Sequence, residues 1–106
     1  MIQIKKESDH TYTFAIQTKD GQALLHSVPF NDKEKMERTI SNLKEWIKRE
    51  SSFERKTNYH GKFFFLLNNS DGTLIGNSMF YSSEAGMENG IKNLKNIISN
   101  LPETIA

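Results

Sequence analysis

No cysteine occurs in the 106 residues, and this excludes a disulfide framework, thiolate metal sites and thiol catalysis together. Charge of one sign is lacking too: 14 basic side chains stand against 13 acidic ones, so charge alone gives no nucleic-acid footprint. No stretch approaches the roughly 20 apolar residues that a membrane helix needs. The N-terminal segment MIQIKKESDH turns charged at Lys5 before any signal-peptide core develops, and a cytoplasmic protein is the expectation. Asn68-Asn69-Ser70 matches a glycosylation acceptor, but with no secretion signal it reads as a polar hairpin tip.

What is present is an internal correspondence. A shift of 51 residues superimposes Asp20-Gly21 on Asp71-Gly72, Ser27 on Ser78 and Met36-Glu37 on Met87-Glu88 without a gap. The same shift carries Ile40, Asn42-Leu43-Lys44 and Ile47 onto Ile91, Asn93-Leu94-Lys95 and Ile98. A register held through a turn, a strand and a helix is a repeat of a supersecondary unit. A chain of this length suits one small domain, so the expectation is a single domain over 1–106, with units 1–51 and 52–106 sharing one core. An apolar content of 36% is enough to build it.

Each unit reads as strands followed by a helix, an α+β pattern. Ile2 and Ile4 alternate in a short first strand, and Tyr12, Phe14 and Ile16 mark the inward face of a second over Thr11 to Thr18. Lys19-Asp20-Gly21 makes a hairpin turn to a return strand over Gln22 to Phe30. Asn31 or Asp32 then caps a helix, with Asn31 and Glu34 at capping-box spacing, and Met36, Ile40, Leu43 and Ile47 form its apolar stripe. Trp46 falls at the edge of that stripe. In the second unit Phe53 to Thr57, the strand of Phe63, Phe65 and Leu67, and a return strand over Thr73 to Tyr81 follow the same plan. Ser82 or Ser83 caps a helix whose stripe is Met87, Ile91, Leu94 and Ile98. Gly90, mid-helix, implies a close approach to the sheet, and a short last strand is expected around Thr104 and Ile105.

The linker FERKTNYHGKFFF, the segment DGTLIGNSMFYSSEAG and the helix NGIKNLK resemble the YegP-like family of small bacterial proteins, over essentially the whole chain. Phe53 to Thr57 matches that family's aromatic-Glu-Arg/Lys-Lys-Thr strand and Gly90-Ile91 its Gly-Ile pair. The first unit departs, with Thr39-Ile40 at the Gly-Ile position and a more charged NDKEKMER. The resemblance implies tandem β-β-β-α units that form one antiparallel sheet, with two helices on one face and exchanged terminal strands. It implies no activity.

The residues carry no strong chemistry of their own. His10, His26 and His60 do not correspond between units and have no ligand partner at helical spacing, so neither a metal nor a cofactor is expected. Glu37 and Glu88 lie on helix surfaces, where glutamates are solvated. Ser27 and Ser78 lack a nucleophile elbow and read as strand serines packed under the helices.

One feature stands apart from the core. The face of the first unit's strand that carries Thr11, Thr13 and Ala15 becomes Lys62, Phe64 and Leu66 in the second, with Tyr59 nearby. With helices on one side only, these residues occupy the open side, and an exposed apolar patch on a sheet marks an interaction site. The primary expectation is therefore a non-enzymatic interaction or scaffold module, with an unknown protein partner or a homodimer. The alternative is weak binding of single-stranded nucleic acid, with Tyr59 and Phe64 stacking on bases and Arg55, Lys56 and Lys62 meeting phosphates, which near-neutral charge disfavours. A small-molecule enzyme ranks last.

Overall fold

The structure is a computed structural model and describes residues 2–101. The strand expected around Thr104 and Ile105 lies outside them. Strands β1 (Ile2–Ser8), β2 (Thr11–Gln17) and β3 (Ala23–Ser27) precede helix α1 (Lys33–Trp46). After a 3-10 turn at Glu50–Ser52 come β4 (Phe53–Thr57), β5 (Phe63–Asn68), β6 (Leu74–Asn77) and helix α2 (Glu84–Ser99). The strands form one six-stranded sheet in the order β1-β2-β3-β6-β5-β4, and every paired neighbour is antiparallel.

Period-2 alternation sets the inner face. Phe14 and Ile16 of β2, Leu25 of β3 and Phe65 and Leu67 of β5 are buried, while their sequence neighbours Ala15, Phe64 and Leu66 are not. Both helical stripes, Met36-Ile40-Leu43-Ile47 and Met87-Ile91-Leu94-Ile98, join the same buried cluster. Trp46 packs against its margin, as its place beside the stripe implies. Ser83 caps α2 by accepting from Gly86 N at 3.0 Å. The cap of α1 is Asp32, which accepts from Glu34 N at 3.0 Å, so the reciprocal Asn31 and Glu34 box does not set this start.

Two expectations need correction. The return strands are shorter than the runs Gln22 to Phe30 and Thr73 to Tyr81, for a reason found in Ser27 and Ser78. Ser27 Oγ accepts from Phe14 N and donates to the Val28 carbonyl, both at 2.9 Å. Ser78 Oγ accepts from Phe65 N at 2.9 Å and donates to the Met79 carbonyl at 2.7 Å. A hydroxyl thus takes a ladder bond, regular pairing stops, and contact resumes only as single bridges at Tyr12–Phe30 and Phe63–Tyr81. These serines bond backbone instead of simply filling space under the helices. The second correction concerns strand exchange. Among the described residues β1 pairs with β2 and β4 with β5, because a short hairpin brings each terminal strand back to its own sequence neighbour.

Two glycines permit close approaches. At the middle of the sheet β3 and β6 share only the pairs His26–Asn77 and Ser27–Gly76. A Cβ on Gly76 would lie 2.5 Å from the His26 carbonyl oxygen, so this seam excludes a larger residue. On α2, a Cβ on Gly90 would lie 2.6 Å from Cζ of Tyr81, whose ring lies against the helix. The Tyr81 hydroxyl is buried with no hydrogen-bond partner among the described residues, and burial raises its pKa. The corresponding pair 51 residues earlier is Phe30 and Thr39, a ring without the hydroxyl facing a residue with a side chain. Gly90→Ala is expected to destabilise the protein by about 1–3 kcal/mol despite the better helix propensity of alanine. Adding Tyr81→Phe should restore part of that loss in chemical denaturation, and Tyr81→Phe alone should be neutral or stabilising.

Candidate interaction face

The helices leave the other side of the sheet uncovered. Strand register places Gln3, Ala15, His26, Asn77, Leu66 and Glu54 side by side across it. Along β5, Phe64 and Leu66 share this face, opposite Lys56 and Glu54 of β4 respectively. Phe64 meets the ring of Phe80 edge to face, with centroids 5.4 Å apart, and Phe80 is 58% exposed. Leu74, opposite Asn68 and 38% exposed, extends the apolar surface along β6.

The two halves of this face differ at every one of these positions. Leu74, Leu66, Phe64 and Phe80 stand where the first half has Ala23, Ala15, Thr13 and Pro29. The second half is therefore a raised apolar ridge. The first half is a shallow depression of about 660 Å³ lined by Gln3, Lys5, Thr13, Ala15, Gln17 and His26. Such a surface can release bound water on contact with another apolar surface, at about 25 cal/mol per Å² buried.

Of the four residues singled out for this face, the strand brings only Phe64 and Leu66 together. Tyr59 and Lys62 belong to the β4–β5 hairpin loop, because Asn58 Oδ1 accepts from His60 N at 3.0 Å and from Lys62 N at 2.9 Å and closes the turn. Both are exposed, Tyr59 by 92%, and its ring contact is His60 at 4.0 Å. Phe80 and Leu74 escaped the sequence reading. The signal for Phe80 was its place beside Tyr81: if Tyr81 points to the helices, its neighbour points away.

Arg55 belongs to the opposite side. It sits next to Lys56 in β4 and so turns towards the helices, where Nε and Nη2 bind Glu88 Oε2 and Oε1 at 2.5 and 3.1 Å. Nη2 also reaches Glu50 Oε2 at 3.3 Å, and Lys95 Nζ binds Glu50 Oε1 at 2.5 Å while lying 5.1 Å from the Phe53 ring centroid. This network ties edge strand β4 to α2. Hydrogen bonding from Lys95 first, then from Arg55, holds the Glu50 carboxyl below the ordinary range, whereas Glu88 raises the Arg55 pKa. Glu88 is thus a structural ion-pair partner, and Ser27 and Ser78 spend their hydroxyl protons on carbonyls.

The domain of unknown function DUF1508 matches residues 59–100, which span β5, β6 and α2. The UPF0339 protein YegP of Escherichia coli K12 is 29% identical over 94 residues, 89% of this chain and 86% of that protein. The chain is similar to YegP over most of its length. A UPF0339 protein of Pseudomonas aeruginosa is likewise 29% identical over 92 residues, 87% of this chain and 84% of its own. The solution NMR structure of E. coli YegP, a protein of unknown function, superimposes with a TM-score of 0.85 at 27% identity, covering 97% of this chain and 87% of that one. A UPF0339 protein of Shewanella oneidensis shares the fold at a TM-score of 0.83 and 24% identity, over 90% and 80% of the two chains. The YegP-like match confirms the α+β fold and brings no assigned activity with it. No helix among the described residues is long and apolar enough to cross a membrane.

Arg55→Ala should lower stability by about 1 kcal/mol, since the bidentate pair with Glu88 is only partly exposed, and the loss should shrink at high salt. Thermal melts at two ionic strengths test this. Because the folded-state pKa of Glu50 is depressed, its contribution is complete above the ordinary carboxyl range and disappears as pH falls through the lowered value. The small difference between wild type and Glu50→Gln should therefore vanish on acidification.

Proposed function

We propose that this YegP-like chain is a non-enzymatic interaction module whose uncovered sheet face, centred on Phe64, Leu66 and Phe80, binds a protein surface. The observation that carries the reading is the replacement of Ala15, Thr13 and Pro29 by Leu66, Phe64 and Phe80 at positions 51 residues apart, which leaves Phe80 58% exposed. Buried on contact, exposed rings of this kind supply most of a partner's binding free energy. Tyr59 and Lys62 form the rim in this reading, on the hairpin that continues from the ridge strand.

A protein surface suits the face better than single-stranded nucleic acid. Lys56 lies 3.5 Å from Glu54, and Arg55 is engaged by Glu88 on the helix side, so few free cations flank the rings. The same proposal treats the chain as one domain of two units, 1–51 and 52–106, which the matched hydrogen bonds of Ser27 and Ser78 support. A cytoplasmic setting accords with a fold that holds without disulfides.

Hydrophobic-interaction chromatography of the folded protein tests the reading. The Phe64→Thr/Leu66→Thr/Phe80→Thr variant should elute clearly earlier than wild type while keeping its circular dichroism spectrum. Unchanged retention would remove the binding face, and loss of the fold in the variant would assign these side chains to the core.

A further inference from the structure

Independently of the uncovered face, we infer that edge strand β4 pairs antiparallel with β4 of a second copy, centred on Arg55, so that two six-stranded sheets become one. The phase of the ladder carries the argument. Phe63 exchanges both backbone bonds with Tyr81, and Phe65 bonds Ser78 through both its N–H and its carbonyl, so the odd-numbered residues of β5 face β6. Phe64 and Leu66 therefore face β4 and engage Lys56 and Glu54, their register partners. This leaves the N–H and C=O groups of Arg55 and Thr57 pointing out of the sheet, because β4 is an edge among the described residues. Phe53 turns outward too, but its N–H is closed on the Glu50 carbonyl, which leaves only its own carbonyl free.

Charge selects both the occupant and the register. Charges along an edge ordinarily deter pairing, as Lys5 and Lys6 do on β1. On β4 they alternate instead, with Glu54 before Arg55 and Lys56 after it. An antiparallel pair centred on Arg55 sets each Glu54 opposite the partner's Lys56 on the uncovered face, twice over. Centring the pair on Glu54 or on Lys56 sets like charges opposite each other. Arg55 brings little repulsion across the axis, because Glu88 and Glu50 hold it on the helix side and Lys95 completes a neutral cluster. The same register matches the free backbone groups. The two Arg55 residues exchange N–H to carbonyl bonds, and each Thr57 N–H meets the partner's Phe53 carbonyl, about four bonds in all. A foreign strand would need an acid and a base two residues apart in that order, which a second copy supplies by symmetry. The contact runs for about five residues at about 3.4 Å each and buries well under about 1,000 Å², so the dimer is weak. Its axis stands perpendicular to the sheet, and both apolar ridges stay uncovered on one side.

Sedimentation equilibrium of the full chain from about 10 μM to about 1 mM reads the mass, and amide hydrogen exchange over the same range reads the place. Mass should rise from 12.2 kDa towards twice that value, with slowed exchange at the Arg55 and Thr57 amides. Glu54→Lys sets lysine opposite lysine and Lys56→Glu sets glutamate opposite glutamate, so each alone should weaken association about tenfold. An equal mixture of the two should recover it, since every row then pairs opposite charges, and recovery also shows that both variants are folded. Thr57→Pro removes an N–H that lies outside the ladder, so it should abolish association and keep the circular dichroism spectrum. A mass fixed at 12.2 kDa throughout overturns the inference. So does association that leaves the Arg55 and Thr57 amides exchanging as in dilute protein, or that the mixture fails to restore. The chromatographic test of the face stands apart from either result, because the ridge takes no part in this contact.

Discussion

Everything in this structure depends on one mismatch of widths. Six strands at about 4.8 Å span about 29 Å, whereas two helices of about 10 Å each cover about two thirds of one face and none of the other. The covered strip is where burial is complete: Phe14, Ile16, Phe65 and Leu67 lie under the two helical stripes. Beyond the strip, the two edges meet the shortage differently. At β1, Ile4 pairs with Phe14 and so points inward, yet it remains 39% exposed at the edge, and the strand continues into charged Lys5, Lys6 and Glu7. Such charges blunt an edge that would otherwise recruit another strand. At β4, Arg55 extends the helical cover sideways by gripping Glu88 and Glu50.

The halves also diverge at the level of single atoms while keeping the same backbone bonds. Phe14 N and Phe65 N each bond to a serine hydroxyl at 2.9 Å, and that shared geometry fixes where each return strand leaves the ladder. Around it the side chains have separated. The second half places the Tyr81 ring against a glycine where the first has Phe30 and Thr39, and turns a small-residue outer surface into an aromatic one. The two halves thus differ on the outer face and at the helix contact and share these ladder bonds.

The elements and the core were legible because they obey simple periods. Stripes at Met36, Ile40, Leu43 and Ile47, and the alternation of Phe63, Phe65 and Leu67, need no knowledge of partners in space. Strand ends were less legible, since a side-chain hydroxyl that substitutes for a ladder bond has no periodic trace and depends on a strand far along the chain. The outer face was half legible. Phe64 and Leu66 announced themselves by comparison with Thr13 and Ala15, but Phe80 was hidden by the irregularity at Ser78, and Tyr59 was drawn onto the face by proximity in sequence although a hairpin loop carries it. The bond from Arg55 to Glu88 joins residues 33 positions apart and had no local signature at all.

The central claim is that the chain itself does not cover the apolar ridge. Side-chain NMR with a soluble paramagnetic probe tests this most directly, in dilute protein. The account predicts strong broadening of Phe80, Phe64 and Leu66 signals, with Phe65 and Leu67 protected. Equal protection of Phe64, Leu66 and Phe80 at every dilution would contradict it, because the ridge would then be part of the core.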